Sequence, residues 1–257
     1  PLTLSNNALE SCLSMNKHYN TTSQLIDQGL FRYTNIPDKV IPPFSYNKEV
    51  SFEEYIRYSQ QVILGKNPKA HLPCDIATDT YKILAKQAQQ ATSAATDFHR
   101  IPSAQWSSVP LVYQLITPFE LKQPIKQAVG KTKGVLLIHG LTDSPYSFHD
   151  LAYFYYQQGF NVRTLLLPGH STAPSDLITA QLSEWQQATQ YGIERMSEDF
   201  DQVYLGGLST GGALILDYLM QHYLPQKKAD FKIKGLFMWS LASKAKNNFS
   251  GLAQYVD

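Results

Sequence analysis

Gln202-Val203-Tyr204-Leu205-Gly206-Gly207-Leu208-Ser209-Thr210-Gly211-Gly212 is the stretch on which the reading of this chain turns. Val203, Tyr204 and Leu205 form a short apolar run suited to a buried strand, glycines bracket a single serine, and a helical pattern begins near Thr210. Strand, sharp turn and helix is the setting in which the serine of Gly-x-Ser-x-Gly stands exposed as a nucleophile. The glycines have a mechanical reason: a residue on so tight a turn is held in a strained conformation, and side chains two positions to either side would collide. A phosphate-binding loop is excluded, because neither a Lys-Ser/Thr ending nor G-x-G-x-x-G spacing is present. Ser209 is therefore the candidate catalytic residue.

Working outward, apolar runs at Val135 to His139, Val162 to Leu167, Val203 to Leu208 and Ile233 to Leu241 alternate with amphipathic stretches. The order β-α-β-α-β-α-β predicts an α/β fold, a mainly parallel sheet with helices on both faces. Ser144 as N-cap, Pro145 in the first turn and Gly159 at the end delimit one helix. Ser183 with Gln186 is predicted to start the next, turning Trp185, Ala188 and Ile193 to the sheet.

A second constellation, His139-Gly140-Leu141-Thr142-Asp143, closes the first of these strands. In a sheet of this kind that loop lies at the carboxyl ends of the strands, beside the serine turn. The backbone amides of Leu141 and Thr210 are thus the candidate oxyanion donors, a pair in which one donor contributes roughly 3 to 4 kcal/mol of transition-state stabilisation. His139 precedes the serine in the wrong chain order for its base and is assigned a structural role. Asp143 is read as stabilising a loop or helix start.

Three ordered blocks carry a resemblance: His139-Gly140-Leu141-Thr142-Asp143-Ser144-Pro145, Leu167-Pro168-Gly169-His170-Ser171-Thr172, and Gly206-Gly207-Leu208-Ser209-Thr210-Gly211-Gly212-Ala213. From about residue 133 to 241 the chain resembles the α/β-hydrolase superfamily, in particular bacterial carboxylesterases and monoacylglycerol lipases, with Trp185 also matching. The resemblance implies an α/β-hydrolase fold and hydrolysis of short or medium acyl esters or monoglycerides, with a small acyl-ester substrate and no cofactor. Thr210 replaces the usual Met or Gln, and Ser171 the usual Gly; Thr210 would contribute its amide, and His170 with Ser171 would shape the pocket floor.

That fold places its catalytic acid and histidine after the serine. The one later histidine, His222, falls about three turns along the helix that follows Ser209 and cannot reach back. Asp217, Asp230 and Asp257 read as solvated surface charges. The sheet also stops early: beyond Leu241 the chain enters Lys244-Ala245-Lys246-Asn247-Asn248 and ends where such enzymes insert a lid. The expectation is that the C-terminal part of the fold lies on a second fragment of the same protein, which supplies the missing acid and histidine. A proline iminopeptidase-like peptidase, differing in the lid, and a non-catalytic binding protein of the same fold are the rival readings.

Residues 1–105 differ in composition, being rich in Asn, Gln, Ser, Thr and Tyr and broken by prolines, and read as a mostly helical N-terminal extension to a core spanning 106–257. Ser51 with Glu54 forms a capping box for a helix ending near Gly65, and a second helix is expected within 76–95. A hydrophobic share of 43% against 17% charged residues predicts a globular protein. With a net charge of +1 and mixed signs along the chain, no dense positive field is available for nucleic acid. No apolar run approaches the roughly 20 residues needed to span a bilayer. Cys12 and Cys74 lack zinc-site spacing, so no metal is expected; a disulfide between them and two buried thiols both remain open. The low charge, the Asn and Gln content, that potential bridge and the start at Pro1, which leaves room for a removed leader, lean toward an exported bacterial protein.

Overall fold

The computed structural model describes residues 41–67, 69–74, 78–91, 110–124, 131–223 and 232–241. Five strands form one sheet in the order β1-β3-β2-β4-β5: β1 (Glu120–Leu121), β2 (Lys133–Ile138), β3 (Asn161–Leu165), β4 (Gln202–Leu208) and β5 (Ile233–Trp239). β2, β3, β4 and β5 run parallel, while β1 pairs antiparallel with β3 through Glu120 opposite Arg163. This mainly parallel sheet is that of an α/β-hydrolase fold. The four expected strands are present, each within two residues of its predicted end.

Alternation along β2 divides the core. Leu136 and Ile138 pack with Leu165, Val203 and Leu205 on one face; Val135 and Leu137 pack with Val162 and Leu121 on the other. Helices α6 (Leu182–Asp199) and α7 (Thr210–Tyr218) cover the first face through Trp185, Ala188, Tyr191, Leu214 and Ile215. Helix α4 (His149–Gln157) covers the second through Ala152 and Tyr155. Each such fully buried apolar side chain stabilises the fold by roughly 1.5 to 3 kcal/mol.

The helix between β2 and β3 follows its sequence signals. Ser144 Oγ accepts the Tyr146 amide, Pro145 opens a 3₁₀ turn over Pro145–Phe148 that runs into α4, and Gly159 takes φ +83°. The start of α6 corrects the expectation. Gln181, not Ser183, is the N-cap, and its amide is held by Glu184 Oε2 at 2.7 Å, so Ser183 and Gln186 lie inside the helix. A glutamate three residues after the cap can reach back to the cap amide whichever residue occupies the cap, which the serine pattern conceals.

Helix α1 (Phe52–Lys66) begins at the predicted capping box: Glu54 donates its amide to Ser51 Oγ and accepts the Ser51 amide. Phe52 and Tyr55 enter the same cluster as Trp185 and Tyr191. The Tyr55 hydroxyl donates to the Leu166 carbonyl at 2.8 Å and accepts the Leu166 amide at 2.9 Å, tying α1 to the end of β3. Helix α2 (Asp79–Ala91) lays Ile83 and Leu84 against the second face. Residues 69–74 run beside the short helix α3 (Val112–Ile116), where the Val112 and Tyr113 amides donate to the Leu72 and Ala70 carbonyls and so satisfy donors exposed at a helix start. Cys74 is fully buried and disulfide-bonded; the sequence holds one other cysteine, Cys12, outside the described residues.

Arg163 is buried in the middle of β3. Its guanidinium lies between the rings of Phe52 and Phe200, at 4.7 and 4.9 Å from their centroids, and pairs with Glu120 at 2.8 Å and Asp199 at 2.6 Å. Two carboxylates and two aromatic faces compensate a charge that would otherwise be expensive to bury.

Candidate active site

Ser209 joins β4 to α7 at φ +51° and ψ −113°, outside the regions that L residues favour. Conformations of this kind cost about 1 to 3 kcal/mol and persist only when the surroundings impose them. Here the Ser209 amide donates to the Trp239 carbonyl at 2.8 Å, fixing the turn to the end of β5, and the Ser209 carbonyl accepts the Ala213 amide as the first bond of α7. The flanking glycines permit the approach. A Cβ on Gly207 would stand 2.4 Å from the Gly212 backbone, and one on Gly211 would stand 2.1 Å from the Ile138 carbonyl oxygen.

The loop after β2 is brought to this turn. A Cβ on Gly140 would lie 3.5 Å from both Ser209 Cβ and the Leu208 carbonyl oxygen, so Gly140 and Leu141 run past the serine. Thr210 opens α7, whose N-terminal amides carry partial positive charge facing the turn. The two segments that hold the candidate oxyanion donors are therefore neighbours across the end of β2 and β4.

His139 and His170 are both fully buried, with ring centroids 4.7 Å apart. His139 Nε2 accepts the Leu167 amide at 3.1 Å and Nδ1 donates to the Gly140 carbonyl at 2.8 Å. Burial pulls its pKa down to about 4, so the ring is neutral at physiological pH. His170, from the Leu167–Thr172 loop, sets Nε2 2.6 Å from the Leu141 carbonyl; burial, with His139 beside it, pulls its pKa down to about 3. Ser171 adopts φ +60°, a conformation that explains why glycine suits that position. Asp143 caps the local turn through the Ser144 amide at 2.8 Å, and burial raises its pKa. The contact from His170 to Leu141 was not anticipated; only the nearness of the two motifs to one strand end could have signalled it.

His222 lies in the π-helical turn Leu219–Tyr223 that continues α7, exposed and tilted against Tyr218 at 5.2 Å. Asp217, expected to be a solvated charge, is half-buried between α7 and α6, where it accepts from Gln186 Nε2 at 2.9 Å and from Gln221. Asp230 and Asp257 lie outside the described residues. Among the described residues no group of three or more His, Cys, Asp or Glu side chains is placed to hold a metal ion, and no helix is long and apolar enough to cross a membrane.

Residues 135–242 match the alpha/beta hydrolase family. The chain is 34% identical over 90 residues to a thermostable monoacylglycerol lipase of Bacillus sp. (strain H-257), the match covering 35% of this chain and 36% of that protein. It is 28% identical over 88 residues to a carboxylesterase of Bacillus subtilis (strain 168), covering 34% and 36% respectively. Among solved structures, a metagenome-derived lipolytic enzyme described with LipS and LipT matches at 27% identity and a TM-score of 0.43, covering 53% of this chain and 50% of that one. The match to each curated relative thus spans about a third of that relative's length.

Proposed function

We propose, from the alpha/beta hydrolase core at residues 135–242, that this chain carries the nucleophile and oxyanion-binding half of a serine hydrolase acting on carboxylic esters, of carboxylesterase or monoacylglycerol lipase type. The observation that carries the reading is the backbone of Ser209, strained at φ +51° between β4 and α7 with Gly140 packed beside it. The Ser209 hydroxyl oxygen attacks the ester carbonyl, and the amides of Leu141 and Thr210 receive the charge that develops on the carbonyl oxygen. The alcohol departs, leaving the acyl group on Ser209, and water releases it as the acid. The acid and histidine that take the serine proton and return it to the leaving group are proposed to come from a second fragment of the same protein. A small acyl ester is the substrate; no cofactor, metal, nucleic acid or membrane span enters the scheme.

Treatment of the full-length protein with a fluorophosphonate probe tests this reading. Covalent mass on Ser209, lost in Ser209→Ala, is the expected result. Absence of label on the natural full-length material would instead favour a non-catalytic binding protein. Intact-mass analysis of that material tests the second fragment: a mass equal to these 257 residues, with no companion chain, would refute it.

A further inference from the structure

Buried polar side chains persist where they are hydrogen-bonded, and His139 and His170 both bond the loop that passes Ser209. His139 addresses one peptide unit. Because its Nε2 accepts the Leu167 amide, its proton sits on Nδ1 and is donated to the Gly140 carbonyl. That carbonyl and the Leu141 amide belong to the same planar, trans peptide, so pulling the oxygen one way turns the N–H the other.

His170 addresses the next unit. Its Nδ1 faces the Leu167 and Pro168 carbonyls at 3.2 Å each. Both already accept donors of their own, the His170 amide at 3.1 Å and Trp185 Nε1 at 2.9 Å. Nε2 lies only 2.6 Å from the Leu141 carbonyl oxygen, a separation at which two lone pairs would repel. A neutral ring carries one proton, and the contact to Leu141, shorter by 0.6 Å than either contact of Nδ1, is the one that most requires it, which places the proton on Nε2. The ring is itself anchored through the Leu167–Thr172 loop, which Trp185 holds at Pro168, Tyr55 at the adjoining Leu166, and Asn67 at the Ser171 carbonyl.

We propose that His170 is a positioning residue for the oxyanion hole: by donating Nε2–H to the Leu141 carbonyl, it fixes the peptide after Leu141 while His139 fixes the peptide before it. With both flanking units held, the Leu141 amide cannot rotate away from the developing oxyanion at Ser209. The inference rests on the reading of Leu141 and Thr210 as oxyanion donors. It goes beyond that reading by placing the precision of the hole in a buried side chain that acts through the Leu141 carbonyl.

The test uses the full-length protein and the kinetics of fluorophosphonate labelling at Ser209, resolved into a maximal rate and a half-saturating concentration. His170→Phe keeps the ring volume and removes the donor, whereas His170→Gln returns a donor at similar reach. The expected result is a maximal rate lowered about tenfold to a hundredfold in His170→Phe, with the half-saturating concentration little changed, and most of the rate recovered in His170→Gln. Labelling of folded His170→Phe at the wild-type rate would overturn the proposal alone, as would equal losses in both variants, which would point to packing. Unlabelled wild-type protein would remove the esterase reading and this proposal together. Should His170→Phe fail to fold, nitrogen NMR of the histidines in the wild-type protein decides. A downfield proton on His170 Nε2 supports the assignment, and a proton on Nδ1 with none on Nε2 refutes it.

Discussion

Tyr55→Phe removes one oxygen from the protein and takes a hydrogen-bond partner from the buried amide and carbonyl of Leu166. The Tyr55 hydroxyl is fully buried, donates to the Leu166 carbonyl at 2.8 Å and accepts the Leu166 amide at 2.9 Å, across 111 residues of sequence. The substitution keeps the ring contacts with Phe44, Phe52 and Tyr191, so the loss is confined to hydrogen bonding. A buried group deprived of its bond costs about 1 to 3 kcal/mol, so the amide and the carbonyl together give a loss of roughly 2 to 6 kcal/mol. Urea unfolding followed by fluorescence is expected to show a lower midpoint with an unchanged slope, because the surface exposed on unfolding is the same. Tyr153→Phe, at a partly exposed position on α4, is the control and is expected to stay within about 0.5 kcal/mol of wild type. Hydrogen exchange adds a local readout: the Leu166 amide should lose protection before the amides of β3. A loss below about 1 kcal/mol would refute the view that this hydroxyl fastens α1 to the sheet.

Ser209→Gly is expected to abolish probe labelling yet raise stability by about 1 kcal/mol, since glycine relieves the strain at φ +51° at a smaller entropic cost; a less stable variant in urea unfolding would contradict it. Arg163→Met should destabilise by about 3 to 5 kcal/mol by leaving the buried carboxylate of Glu120 beside apolar rings, and adding Glu120→Gln should restore part of the loss; additive effects in the double-mutant cycle would show that the pair is not coupled. For pH, His139, His149 and His170 are held by burial to pKa values of about 4, 4 and 3, against about 6.5 in the unfolded chain. The unfolded chain therefore binds more protons below pH 6.5, and stability falls as the pH drops toward the native values, by roughly 1 kcal/mol per pH unit for each ring. Urea midpoints that stay level from pH 6.5 to 4.5 would refute this.

The parallel strands were legible because a strand buried on both faces is apolar at nearly every position. Val135 to Ile138 and Val203 to Leu205 therefore stand out without any knowledge of their partners. The Ser51 and Glu54 capping box was legible for a similar reason, since both partners lie within one helical turn. Elements too short to express a period were not: β1 has two residues, α3 five, and helix α5 (Pro174–Thr179) six. Arg163 was equally hidden. A charged residue amid strand formers gives no sign that Glu120 and Asp199, 43 and 36 positions away, will converge on it.

The same division between near and far separates the parts of the candidate site. Ser209 and its glycines could be read from sequence because the constraint is local: the turn must bring Gly207 against Gly212, five residues on, and a side chain at either glycine would meet backbone or a packed neighbour. The donors are a different matter. A backbone amide has no sequence identity, and what would aim that of Leu141, in the role proposed for it, is a pair of rings placed by two loops, one of which is held by α1 and α6 from opposite directions in the chain. Strain at Ser209 can be imposed by a few adjacent residues, but orientation at Leu141 depends on packing contributed by residues 55, 67, 139, 170 and 185 together. On the proposed function, substitutions far from the serine, in the first helix as much as in the site itself, should therefore slow probe labelling of Ser209 through the second requirement while leaving the first intact.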